Sequence, residues 1–259
     1  MQERTRKIVF GISITIVIVG ILFLLGYFIK QLDREKDYDD LRSEVAEGFI
    51  TEDTEMKEEE TEEAEPIVIP IDFNALRLQN PDIYAWITIP GTNIEYPILQ
   101  HPSDDEYYLN HTVDKKSGLP GSIYTEGKHN TKDFSDRNTL IYGHNMKNGT
   151  MFGSLDKYID PAFMKEHNTI IIYTAEHIYT YKVFGAITYD NRHIMYSFDF
   201  KEDSGMQAFL DSIGKVNNLN TYIDGSVEVT TSDRIITLST CNGNKKQRFL
   251  VEAVLIDEQ

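Results

Sequence analysis

The chain of 259 residues contains one cysteine. A single thiol closes no internal disulfide, so the folded state must hold by packing alone. No Cys/His cluster has zinc-site spacing, and neither a structural metal nor a cofactor site is expected. The sequence also lacks an internal repeat and a glycine-rich phosphate loop. It has no basic footprint of the kind that grips nucleic acid: the formal net charge is −17, and no nucleic-acid partner is expected. That charge is unevenly spread. Residues 33–66 hold 16 acidic and 4 basic side chains, whereas residues 1–32 hold 1 acidic and 4 basic. The acidity belongs mainly to one segment and says little about the partners of the rest.

Charge is missing altogether from Ile8 to Ile29, a run of 22 residues. As a helix it would span roughly 33 Å, matching a bilayer hydrocarbon core of about 30 Å. Arg4, Arg6 and Lys7 precede it, so the positive-inside rule places residues 1–7 in the cytoplasm and the bulk of the chain outside. The run is longer than the apolar core of a cleaved signal peptide and has no small-residue cleavage site. We therefore read 8–29 as a single-pass signal-anchor in the cell membrane. Residues 30–66 read as an acidic stalk or linker. The stretch "EMKEEETEEAEP" has too little apolar surface to fold, although Leu41, Val45 and Phe49 recur every four residues and suggest a short helix.

From 67 to 259 the pattern changes to short runs rich in Val, Ile, Thr, Tyr and Phe, separated by turn residues. "YAWITIPG", "NIEYPILQ", "NTLIYGH", "NTIIIYTA", "HIYTYKVFGAITY", "RIITLST" and "RFLVEAVLI" have strand character. In the last run Phe249, Val251, Ala253 and Leu255 share one face, and Leu250, Glu252 and Val254 form a mixed face expected to be only partly buried. Helices are expected in "DFNALRLQNPDI", with Asp72 as N-cap, in "MFGSLDKYI", and in "DSGMQAFLDSIGKV", where Met206, Phe209, Leu210 and Ile213 line one side. Many short strands with few helices point to a mostly β domain, a barrel or sandwich decorated by helices.

The lone cysteine, Cys241, ends the strand "IITLST" where "NGNKKQ" turns the chain. A buried structural thiol and a reactive one are both open on composition. A free thiol is only about 3% ionised at pH 7, so a reactive one needs a cation or base nearby. If 242–247 joins antiparallel strands, Arg248 faces Cys241 across the base of the turn, where it could also bind a developing oxyanion. Of the seven histidines, His101, His111, His129, His167, His177 and His193 sit in polar or turn-like surroundings typical of the surface. His144 differs: it ends "TLIYGH" at the start of a loop, where functional groups tend to be displayed. Periodicity alone does not bring His144 to Cys241.

"TLSTC" with an arginine on the next strand, and "YGHNMKNGTMF" about a hundred residues upstream, resembles the sortases, membrane-anchored cysteine transpeptidases of Gram-positive bacteria. "NPDIYAWITIPGTNIEYPILQ", "YYLNH" and "GSIYTE" extend the likeness across most of residues 72–257. "HNMKNGTMF" and the helix-bearing insertion around 198–216 are similar to class B. Neither an Asp-Pro-aromatic lid nor a C-terminal hydrophobic tail, as in class C, is found. Gly243 stands where some class B members carry an acidic residue, so no catalytic Asp is assigned. The resemblance implies an eight-stranded β-barrel preceded by one transmembrane helix. It also implies Cys241 as nucleophile, His144 as acid and base, and Arg248 as substrate and oxyanion ligand, with its guanidinium near the sulfur. Ser239, Thr240 and Asn145 border that site as candidate substrate contacts. The implied partners are secreted proteins with a C-terminal sorting signal and an amine from peptidoglycan precursor or cell-wall peptide. A hydrolytic membrane-tethered cysteine protease and a non-catalytic surface-binding module are the alternative readings.

Overall fold

The computed structural model describes residues 2–52 and 67–259. The chain divides into two compact units, Met1–Leu41 and Arg42–Gln259. Helix α1 runs from Gln2 to Glu52. Its large apolar side chains between Phe10 and Leu32 are exposed, and it is long and apolar enough to cross a bilayer. The helix continues past the apolar run into the acidic segment. Glu, Lys and Arg are good helix formers, and Gln31 donates to Glu35 one turn on, at 3.4 Å. The remainder of the expected stalk, 53–66, lies outside the described residues.

Among the described residues, the second unit is built on nine strands: β1 Ile83–Ile89, β2 Ile94–Leu99, β3 Ile123–Tyr124, β4 Asn138–Tyr142, β5 Thr169–Thr174, β6 Ile178–Asp190, β7 Tyr222–Ile223, β8 Ile235–Cys241 and β9 Gln247–Glu258. They pair in the order β5-β1-β2-β3-β4-β8-β9-β6-β7, and a further β5–β6 pairing closes eight of them into a barrel. Strand β6 is long enough to serve two neighbours on one edge while β9 pairs along the other. Its first half pairs with β5 and its second half, at Gly185 and Ala186, with the short β7. Closure leaves few free edges, and the barrel interior is filled by Ile87, Ile98, Ile141, Ile172, Val183, Leu238 and Val251, all essentially inaccessible.

Helix α2, Phe73–Gln79, begins where Asp72 accepts hydrogen bonds from the amides of Asn74 and Ala75, both at 2.9 Å. The helix expected in "MFGSLDKYI" is a single 3₁₀ segment, Leu155–Ile159. Pro161 ends it: it opens the next helix, α3 (Pro161–Glu166), with Asp160 extended as its N-cap. Between β6 and β7 the chain forms α4, Ile194–Ser197, and α5, Asp203–Gly214. Met206, Phe209 and Ile213 of α5 pack with Ile194, Phe200, Leu140, Ile235, Leu250 and Val254. Phe198, Phe200 and Phe209 make angled ring contacts 5.3–6.3 Å apart.

That packing corrects the expectation for β9. The Leu250–Glu252–Val254 face is fully covered because β9 lies between β8 and β6 and α5 roofs it. Glu252 is 0% exposed. It sits opposite Thr237 of β8, whose hydroxyl lies 2.7 Å from Glu252 Oε2 and 3.0 Å from Asn138 Oδ1 of β4. One hydroxyl hydrogen serves only one of two acceptors. A protonated Glu252 resolves this: its carboxyl donates to Thr237, and Thr237 donates to Asn138. Burial pushes the Glu252 carboxyl up to about 8 from its ordinary 4.5. The folded protein therefore keeps a proton that the unfolded chain releases, and stability falls as pH rises from about 4.5 to about 8. Glu252→Gln should stabilise the domain at pH 8 by up to about 4 kcal/mol, at about 1.4 kcal/mol per decade of proton affinity over the range from 4.5 to about 8. The gain should shrink toward pH 4.5. Urea unfolding at the two pH values checks this, and an equal effect at both would sink the protonated assignment.

Candidate active site

Three adjacent strands end or begin at one rim of the barrel. Strands β4 and β8 are parallel, with Tyr142 opposite Ser239, so both run out in the same direction. Two residues further on, His144 and Cys241 leave their strands side by side. Strands β8 and β9 are antiparallel, with Cys241 directly opposite Arg248. The register thus brings His144, Cys241 and Arg248 together on three neighbouring backbones. All three line one cavity of about 190 Å³. Cys241 is a free, exposed thiol, while His144 and Arg248 are half-buried.

Hydrogen bonds hold this rim. The Gly143 amide donates to the Ser239 carbonyl at 3.2 Å, extending the β4–β8 ladder by one step. The Thr240 hydroxyl donates to the Gly143 carbonyl at 2.7 Å, and Asn145 Nδ2 donates to the Cys241 carbonyl at 2.8 Å. Ser239 and Thr240 are themselves buried, at 4% and 3% exposure. The side chains of Thr240 and Asn145 thus act on the backbone that carries Cys241 and His144. The loop after His144 folds back on itself, with the Phe152 amide donating to the His144 carbonyl at 2.9 Å and Asn145 bridged to Met151.

The His144 ring is oriented by Nε2, which donates to the Leu109 carbonyl at 2.7 Å. That leaves Nδ1 as the nitrogen free to gain or lose a proton. Two glycines make room. Gly121 has φ +69°, and a side chain there would meet the Leu109 carbonyl at 2.7 Å and His144 Cδ2 at 3.1 Å. A Cβ on Gly143 would lie 2.5 Å from Ile123 Cδ1 and 2.7 Å from Phe152 Cδ2. Arg248 donates through Nη1 to the Gln247 carbonyl at 3.1 Å. Among the described residues no carboxylate pairs with it, so its charge faces the cavity uncompensated.

The floor is aromatic and acidic. Tyr124 and Tyr142 stack with centroids 5.3 Å apart; burial pushes both phenols up, against the pull of Arg248. Burial, with Asp105 and Glu106 nearby, pushes Glu126 up to about 7. His193 donates through Nε2 to Glu126 Oε2 at 2.9 Å. The surface reading of His193 is therefore corrected: it is half-buried in the cavity wall, because the chain after β6 folds inward to seat Ile194 in the α5 cluster. Asp190 and Arg192 pair at 2.6 Å on the same wall. A larger open groove, about 840 Å³, runs past Arg137 and Phe198 and includes none of Cys241, His144 or Arg248.

Comparison with known proteins agrees with this architecture. A sortase-domain family profile matches residues 87–256. Sortase B of Listeria monocytogenes is 32% identical over 249 residues, covering 95% of this chain and 96% of that protein. Sortase B of Staphylococcus aureus is 32% identical over 187 residues, covering 71% and 74%. The structure of the S. aureus sortase B–substrate complex superposes with a TM-score of 0.72 at 27% identity, covering 88% of this chain and 99% of that one. Sortase B from B. anthracis in complex with AAEK2 gives 0.68 at 31%, covering 88% and 98%. The chain belongs to the sortase family. Its class is B, and its activity is that of a cysteine transpeptidase.

Gly143→Ala should cost about 1–3 kcal/mol, because its methyl group has no space between Ile123 and Phe152. The denaturant midpoint measures this, and wild-type stability would contradict the tight packing before His144.

Proposed function

We propose that Cys241 is the nucleophile, His144 the general acid and base, and Arg248 the oxyanion ligand of a sorting-signal transpeptidase. The observation that carries this reading is the convergence of the three residues at the ends of β4, β8 and β9. The Cys241 thiolate attacks the carbonyl of a peptide bond in the sorting signal. The carbonyl oxygen takes up negative charge, and Arg248, without a carboxylate partner among the described residues, offers two N–H groups to it. His144, protonated on Nδ1, gives that proton to the leaving amine as the C–N bond breaks, and a thioester remains on Cys241. An incoming amine then loses a proton to His144 and attacks the thioester. The new amide forms and the thiolate departs. The exposure of Cys241 supports this reading over that of a buried structural thiol in a surface-binding module.

The substrates in this reading are secreted proteins bearing a C-terminal sorting signal, and the acceptor is an amine of peptidoglycan precursor or cell-wall peptide. Residues 8–29 anchor the enzyme with its N-terminus in the cytoplasm and residues 67–259 outside, and 30–66 provide reach. Enzyme and exported substrate then share one membrane plane, which raises their effective concentration.

Cys241→Ala and His144→Ala should abolish turnover of a sorting-type peptide while leaving the circular dichroism spectrum intact. Arg248→Lys should lose about 10²-fold or more in kcat, since an ammonium lacks the planar fork. Mass spectrometry should find a thioester on Cys241 that an added amine resolves to a new amide. Near-normal acylation by Arg248→Lys would remove its oxyanion role, and hydrolysis indifferent to every amine tried would overturn transpeptidation at this site.

A further inference from the structure

We propose that Glu126, His129 and His193 form a binding site for a divalent transition ion of the zinc class, set in the wall of the active-site cavity. Their donor atoms, one from each residue, all lie within 4.8 Å of one another. Glu126 Oε2 is 2.9 Å from His193 Nε2 and 3.8 Å from His129 Nε2. Donors around a tetrahedral zinc with bonds near 2.1 Å stand roughly 3.4 Å apart, so small side-chain adjustments suffice. The His129 and His193 rings are 5.1 Å apart and tilted by 49°, converging on the carboxylate rather than stacking. Two imidazoles and one carboxylate suit zinc, cobalt or nickel better than calcium or magnesium, which favour all-oxygen shells.

The backbone prepares this arrangement. The amides of His129 and Asn130 both donate to the Glu126 carbonyl at 3.0 Å, so a single turn sets Glu126 and His129 on the same side. Asn130 anchors that turn to β4: its side chain donates to the Asn138 carbonyl at 2.7 Å and accepts from the Leu140 amide at 3.0 Å. On the other side, His193 is the residue before α4 and accepts on its carbonyl from Tyr196 and Ser197. The Tyr196 ring packs against both imidazoles, with centroids 4.5 and 4.4 Å away.

A purely structural role leaves the cluster under-satisfied. His193 Nε2 contacts Glu126 at 2.9 Å and the Tyr142 hydroxyl at 3.5 Å, and neither contact reaches the His129 ring. The His129 ring makes no hydrogen bond among the described residues, and His193 Nδ1 is buried without a partner. Asp105 and Glu106 add negative charge around the site. Lys128 opposes a cation, but its ammonium is engaged by the Tyr196 hydroxyl at 2.8 Å. An ion here would clip the turn after β3 to the segment before α4, two walls of the cavity that holds Cys241. Sequence spacing hid the site because His193 lies 64 positions from His129.

The test uses the detergent-solubilised, tag-free full chain carrying Cys241→Ala, which removes the only thiolate ligand. Titration with Co²⁺ should develop visible d–d absorption that saturates at one ion per chain and disappears on adding Zn²⁺. His129→Gln, His193→Gln and Glu126→Gln in the same background should each weaken binding at least tenfold. Ca²⁺ in excess should not compete. Should His193→Gln fail to fold, His129→Gln carries the test, because the His129 ring makes no hydrogen bond among the described residues that the substitution would break. Absence of stoichiometric Co²⁺ binding, or unchanged affinity in folded His129→Gln, would overturn the site.

Discussion

The candidate site depends on the joining of two ladders along β8. On one side β8 pairs in parallel with β4, so both strands deliver their C-terminal ends to one rim. On the other it pairs antiparallel with β9, which delivers its N-terminal end there. Side chains alternate strictly along a strand, so a slip of one residue would turn Cys241 to the opposite face. Barrel closure resists such a slip, because a shift in one ladder has to be made up by the others. A second lock lies four residues below the rim. Asn138, Thr237 and Glu252 link the same three strands by hydrogen bonds inside the core. In any neighbouring register the Glu252 carboxyl would be buried without that partner, so the buried polar chain penalises the alternatives.

Much of this was legible from residue order, and the limits have physical causes. The turn between Cys241 and Arg248 is local, and seven positions with polar residues between two apolar runs define it. His144 is a different case. Its approach to Cys241 comes from a parallel pairing between strands about a hundred positions apart, and periodicity holds no information about which strands pair. The family resemblance supplied that contact. Strands β3 and β7 are two residues each, too short for any alternation to register, although β3 bridges β2 and β4 and is needed for closure. The face of β9 that reads as mixed is buried because α5 covers it, a tertiary fact. His193 and His129 read as surface residues because their immediate neighbours are polar, whereas what half-buries them comes from elsewhere in the chain.

Asn145 and Thr240 illustrate a finer distinction. Both were expected beside the substrate, and both lie at the rim. Their polar groups are already used on the backbone, Thr240 on the Gly143 carbonyl and Asn145 on the Cys241 carbonyl. Each joins the exit of β4 to the exit of β8. In sequence, a polar residue next to a nucleophile looks the same whether it faces the ligand or stitches the strand that carries the nucleophile. Only the partner atom separates the two.

The cavity has two kinds of wall, and they differ in how freely they can vary. The rim of β4, β8 and β9 is fixed by ladder hydrogen bonds and the closed barrel. The opposite wall is the segment after β6, held at separate points rather than by a ladder. Asn191 donates from its amide and side chain to the carbonyls of Lys246 and Lys245 in the turn after Cys241, at 3.1 and 3.2 Å. His193 bonds Glu126, and Ile194 is buried in the α5 cluster. Arg192, between these anchors, pairs with Asp190, and Tyr196, just beyond them, packs on the His129 and His193 rings while remaining 63% exposed. Groups that must keep a fixed distance from a reacting carbonyl suit the first wall. Groups that distinguish one peptide from another suit the second, because its side chains can change without disturbing a strand register. In this chain, residues 190–197 can therefore change without disturbing the β4–β8–β9 register, whereas substitutions on the strands cannot.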